Sequence, residues 1–263
     1  MAVEMRRSLT TLALLALTIA VPISSRSAAA EPDYAEWNRL LAGYYDPARG
    51  MDYGGLKARE TAALQRLRQS LAKVDVAALD RNQQLAYWLN LYNVNVVSIV
   101  VDHYPVDSIR DISTDPVVRL NVFKKPNVPF GAGAISLDSI ENEKVREGFH
   151  DPRIHFALNC AAKSCPPLRT EAFEGARVDA QLDDQARRFL AGPGLRVTTH
   201  NRDVTLHVSK IFDWFEKDFD RAGGALAFLR RHAPPDKARV FAKGEVDMDD
   251  DDYDWSLNDW HRN

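Results

Sequence analysis

Cys160 and Cys165 are the two cysteines of this 263-residue chain, five positions apart in His155-Phe-Ala-Leu-Asn-Cys160-Ala-Ala-Lys-Ser-Cys165-Pro-Pro-Leu168. Two chemistries fit that spacing. One is a small disulfide loop. The other is a thiolate nucleophile at Cys160, which needs a base or a positive field to ionise it and N–H donors for an oxyanion. The loop after Cys160 offers backbone N–H groups, and Lys163 offers positive charge. Cys165, followed by Pro166 and Pro167, has neither argument. A third reading is two inert, buried thiols.

Glu141 is the next candidate. Leu137, Glu141, Val145 and Phe149 recur every four residues, so the carboxylate lies along an apolar helical row. There it is a general base, or orients one, or is a buried acid held by backbone amides or by an arginine such as Arg153. Asn90 and Asn93 interrupt an otherwise apolar helix. They would polarise a substrate carbonyl or cross-brace the core. His155 is the histidine nearest to Cys160 in sequence. With residues 154–160 read as a strand, alternation turns His155 away from the face that carries Cys160. It then serves the thiol only across a bulge. His207, in the second strand of a hairpin, would reach it only by tertiary contact. A structural role is preferred for both histidines.

Several function classes are excluded. Six aspartates between positions 247 and 254 lack the glycine turn and distal glutamate of an EF-hand, so they read as a solvated acidic loop. The cysteines lack zinc-finger spacing, and no Gly-rich phosphate loop, Rossmann fingerprint or Gly-x-Ser-x-Gly elbow is present. No metal and no cofactor are expected. A formal net charge of −3 gives no global field for nucleic acid.

The elements that must position these residues follow from periodicity. Residues 34–41 and 56–74 read as amphipathic helices. Asp80 and Gln83 form a capping box opening a long helix, apolar on nearly all sides, that Pro105 ends near Tyr104. Ser136 caps a helix over 137–149. Asp179 caps another running to Leu190. Residues 195–199 and 204–208 pair as a hairpin, 209–219 and 222–233 are short helices, and 239–242 is a late strand. A helical first half with a buried central helix, then a small mixed sheet with helices, is a single α+β domain. Residues 1–30 have the positive, apolar, small-residue order of a signal peptide, with Arg6, Arg7 and Ala28-Ala29-Ala30. The domain is then 31–263, exported to the periplasm or the extracellular space, with no stable membrane anchor after cleavage.

Several segments together resemble the DUF547 family. They are Ala86-Tyr-Trp-Leu-Asn90-Leu-Tyr-Asn93, Ser136-Leu-Asp-Ser-Ile-Glu141, Asp151-Pro-Arg-Ile-His-Phe-Ala-Leu-Asn-Cys160, Ser164-Cys-Pro-Pro, Ser209-Lys-Ile-Phe-Asp-Trp-Phe-Glu-Lys-Asp-Phe219 and Tyr253-Asp-Trp-Ser-Leu-Asn258. The resemblance implies that Asn90, Asn93, Glu141 and Cys160 hold signature positions, with Cys165 less central. It assigns no activity. Three functions stay open. One is a cysteine-dependent amide hydrolase or acyl transferase, with Cys160 as nucleophile, Glu141 as or behind the base, and Asn90 orienting a peptide or other amide-containing ligand. Another is a non-catalytic binding module with a structural Cys160–Cys165 disulfide. The last is an envelope redox protein, ranked lowest because the spacing is not Cys-x-x-Cys.

Overall fold

The central helix, Arg81–His103, organises the chain, and its sequence sets both ends. Asp80 accepts from the Gln83 N–H while the Gln83 side chain accepts from the Asp80 N–H, closing the capping box. Pro105, which has no N–H to donate and restricts the residue before it, follows the cap Tyr104. Every residue from Leu85 to Val101 is buried, so other elements must cover the helix on all sides. The structure is a computed structural model describing residues 30–112, 121–201, 203–242 and 246–261. The expected leader, except its last residue, and Arg202 of the hairpin turn lie outside the described residues.

Helices Tyr53–Arg59 and Thr61–Ala72 pack on the central helix, and Ala35–Tyr44 packs against both of them. The sequence predicts one helix over 56–74; the chain instead breaks at Glu60. That carboxylate takes Arg39 at 2.8 Å and the Tyr44 hydroxyl at 3.1 Å, tying the break to the first helix. Residues 137–149 are helical from end to end and capped by Ser136, as predicted. Their middle, Ile140–Arg146, is wound as a π-helix rather than an α-helix.

A second apolar cluster gathers Phe156, Phe189, Phe212, Phe219 and Phe228 against the hairpin. Strands Leu195–His200 and Asp203–Val208 pair antiparallel as the predicted hairpin, with Leu195 opposite Val208. The third strand is Val246–Asp250, parallel to Asp203–Val208. It corrects two expectations. Arg239–Ala242 is a 3-10 turn, not a strand. The acidic run is in part a charged edge strand, pinned by Lys210 to Asp250 at 3.0 Å and Arg196 to Asp251 at 2.7 Å. Aspartates on an edge strand discourage pairing with another chain. The helix predicted over 209–219 is split into Ile211–Trp214 and Glu216–Arg221 around Phe215. Asp179 lies in the first turn of Val178–Ala191, whose cap is Arg177. The whole is the expected single α+β domain.

The C-terminal segment returns across the helical half as a strap. Leu257 N–H donates to Asp107 O at 2.8 Å, Asn258 N–H to Ala161 O at 3.0 Å, and Met51 N–H to Asn258 O at 3.0 Å. Gly50 permits this approach: its φ is 91°, and a Cβ there would lie 2.2 Å from the Asn258 carbonyl oxygen. Asp259, fully buried, accepts the Tyr104 hydroxyl at 2.8 Å.

Asn90 and Asn93 of the central helix are spent on backbone. Asn90 donates to Phe173 O at 2.8 Å and accepts Phe173 N–H at 3.0 Å. Asn93 donates to Ala157 O at 2.9 Å and accepts Asn159 N–H at 3.0 Å. Truncating either strands two buried backbone groups. Asn90→Ala and Asn93→Ala should each destabilise the protein by about 2–4 kcal/mol, read from urea midpoints. A loss within about 0.5 kcal/mol would show that the amides do not brace the core.

Candidate functional site

The segment that carries Cys160 is not a strand. Pro152–Phe156 is a 3-10 turn capped by Asp151, and residues 157–160 continue as irregular chain. Pro152 at the start of that turn and the Asp151 cap explain the difference: both favour a helical start over extended pairing. The alternation that separated His155 from Cys160 therefore does not apply. Both residues line one cavity of about 330 Å³, together with Glu141 and Cys165.

Asn159 shapes the turn at Cys160. Its side-chain oxygen accepts the Ala161 N–H at 2.9 Å, its amide donates to Pro166 O at 2.8 Å, and Asn258 reaches it at 3.4 Å. Ala161 adopts a φ of 62°, the left-handed region that a non-glycine residue enters only when its surroundings hold it there. The two thiols are joined as the Cys160–Cys165 disulfide. Cys160 N–H points at Cys165 Sγ at 3.0 Å. The Tyr253 hydroxyl lies 3.1 Å from Cys165 Sγ and 3.4 Å from Cys160 Sγ. The loop's N–H groups do not form a free donor pair. Ala161 is bonded to Asn159, Lys163 to Ser256 O, Ser164 to Asp254 O and Cys165 to Ala162 O. Lys163 is exposed, and its charge acts on Asp254.

Glu141 projects from the π-helical turn into the cavity. Burial pushes its carboxyl up to about 7, with Asp138 adding repulsion, against the lowering pull of Arg146 and Tyr92. The Tyr92 hydroxyl donates to it at 3.5 Å. Burial, reinforced by the Glu141 charge, raises that phenol well above its ordinary value, so it remains a neutral donor. Arg153 does not partner Glu141. It holds Asp151, Asp179 and Asp183 at 2.6–2.8 Å.

His155 forms the other polar edge. Its Nε2 lies 2.8 Å from Asp218 Oδ2, and Phe215 stacks on its ring at 3.8 Å. Burial lowers the imidazole below its ordinary value, while the His155 and Arg146 hydrogen bonds hold Asp218 well below the carboxylate range. A neutral ring beside an ionised Asp218 carries its proton on Nε2, which leaves Nδ1 as the basic nitrogen. Arg146 completes this edge, donating to Asp218 at 2.7 Å and to Asn142 at 2.6 Å. Phe123, Trp214 and Trp255 supply apolar wall.

Of the residues singled out in the sequence, Glu141, His155, Cys160 and Cys165 meet at the cavity. Asn90 and Asn93 stand behind it. His207 sits on the sheet, bonded to Thr198 at 3.0 Å and facing Asp249 and Asp251. Sequence reasoning missed Tyr92, Asp218 and Tyr253. Asp218 carried a signal: Ile211, Phe215 and Asp218 fall on one helical face, the pattern that marked Glu141. Tyr253 carried only its place at the head of the Tyr253–Asn258 motif, and its partners lie about ninety residues earlier. Among the described residues no His, Cys, Asp and Glu group is arranged to hold a metal ion.

Residues 76–190 match the model of a family described as Protein of unknown function, DUF547. No curated protein and no solved structure matches the chain. Asp218, Trp214 and Tyr253 come from beyond the matched stretch. The central helix, Glu141, His155 and both cysteines lie within it, and over that stretch the chain is similar to the DUF547 family.

Proposed function

We propose that the cavity binds a small amide-bearing ligand or peptide end, with Glu141 as its proton-exchanging group and the Cys160–Cys165 disulfide as a structural wall. One observation carries this reading: a carboxyl poised near neutrality meets a neutral phenol in an aromatic-walled cavity. A protonated Glu141 both donates and accepts, matching the N–H and C=O of an amide. The aromatic walls take the apolar flank. Export, as the leader suggests, would keep the disulfide closed.

A second reading is the cysteine-dependent amide hydrolase or acyl transferase. It is favoured by Cys160 sharing the cavity with Glu141 and the His155–Asp218 pair. It requires an opened disulfide and a loop rearranged to free its N–H groups. Reduced protein would then hydrolyse activated esters or anilides, and Cys160→Ser would abolish the turnover. Turnover that survives Cys160→Ser would eliminate the thiol mechanism.

The binding reading is tested by calorimetric titration of oxidised protein with N-acetylated dipeptide amides. Binding should weaken about tenfold in Glu141→Ala, the cost of one lost hydrogen-bonded pair. It should also weaken above pH 7, as the carboxyl ionises and ceases to donate. Amide ligands whose binding ignores both changes would overturn the role of Glu141.

The raised carboxyl has its own stability signature. Glu141 titrates near 4.5 when unfolded and near 7 when folded. Between those values the folded state holds a proton that the unfolded state has lost. Its contribution is therefore complete below pH 4.5 and is lost as pH rises through 7, by at most about 3 kcal/mol. Glu141→Gln should remove that loss, so its stability relative to wild type should improve between pH 5 and pH 8 in denaturant titrations. Parallel pH profiles for the two proteins would refute a buried, proton-shifted Glu141.

A further inference from the structure

The two sulfurs of the disulfide are not equivalent. Cys165 is 5% exposed, and its sulfur receives two donors, the Cys160 N–H at 3.0 Å and the Tyr253 hydroxyl at 3.1 Å. Cys160 is only partly buried, and both residues line the same cavity. In thiol–disulfide exchange the sulfur that leaves is the one better stabilised as a thiolate, and the sulfur attacked is the one an incoming thiolate can reach. Both conditions select the same polarity here. We propose that Cys160–Cys165 is an exchange site for small thiols, at which an incoming thiolate attacks Cys160 Sγ and Cys165 leaves as the thiolate.

The step balances without a further reagent. The thiol loses its proton to solvent, and its sulfur electron pair forms a new bond to Cys160 Sγ. The Sγ–Sγ bond breaks, and its pair stays on Cys165 between the two donors. The product is a mixed disulfide at Cys160 inside the cavity. A second thiolate attacking it releases the small disulfide and leaves Cys160 reduced. Asp138 on the same cavity gives an aminothiol the favourable charge. Tyr253 is a fixed neutral donor, because burial raises its phenol far from neutrality. Exchange goes beyond amide binding, which is read on oxidised protein without thiol, so either can fail alone.

The test treats the oxidised, full-length protein with cysteamine, quenches in acid, alkylates free thiols and maps both adducts by peptide mass. Cysteamine should sit on Cys160 and the alkyl group on Cys165, with a preference of about tenfold in the native protein and none in urea. Tyr253→Phe removes one donor and should slow opening of the native disulfide about fivefold, with fold integrity checked by circular dichroism. Cysteamine on Cys165, equal labelling in the native state, a native disulfide that resists cysteamine, or an unchanged rate in a folded Tyr253→Phe protein would each overturn the proposal.

Discussion

The site depends on one buried amide. Asn93 braces the chain before Cys160: it donates to Ala157 O and accepts Asn159 N–H, so two non-helical residues gain hydrogen bonds that neither helix nor sheet supplies. Asn159, once placed, fixes Ala161 in its left-handed conformation and holds Pro166 on the far side of the loop. The Cys160–Cys165 bridge closes a turn already shaped by amides. A satisfied buried amide specifies one geometry, because each alternative leaves a donor or acceptor stranded in the core.

The same logic explains why a carboxyl at Glu141 tolerates burial. Around His155, charge is neutralised in pairs: Asp218 takes both Arg146 and the imidazole. Arg146 then acts on Glu141 through its charge alone, and the Tyr92 hydroxyl is the direct partner of Glu141 among the described residues. One edge of the cavity is thus locked in a single ionisation state, and the other sits near its midpoint. That division is what separates a structural ion pair from a group able to exchange protons. The π-helical winding belongs to this arrangement, because a wider turn re-aims side chains at sites where regular geometry would not.

Legibility in the sequence tracked how local the governing interaction was. The capping box of the central helix, the Ser136 cap and the 195–208 hairpin depend on neighbours a few residues away, and each was readable. The Glu60 break and the Phe215 break were not. There, periodicity continued across the boundary while tertiary partners, Arg39 at one and His155 at the other, decided the geometry. Reading 154–160 as a strand failed because its apolar composition suits a strand and a buried turn equally. That error mattered most, since alternation then removed His155 from a cavity it lines. Glu141, Cys160 and Cys165 were found by residue type and pattern, whereas Tyr92 was hidden among equally buried neighbours.

The cavity is completed by the C-terminal strap. Tyr253 and Trp255 arrive on a strap whose backbone bonds run to Asp107, Ala161 and Met51. Ring contacts at 4.7 Å between Trp214 and Tyr253, and 5.8 Å between Trp214 and Trp255, join that strap to the second cluster. The disulfide loop is therefore sandwiched: Asn93 positions it from beneath, and Tyr253 covers its sulfurs from above. Contacts so distant in sequence carry a large closure entropy and reward the chain only after both layers have formed. The chemistry of the two sulfurs, with their unequal share of donors, accordingly exists only once Tyr253 has docked over the loop.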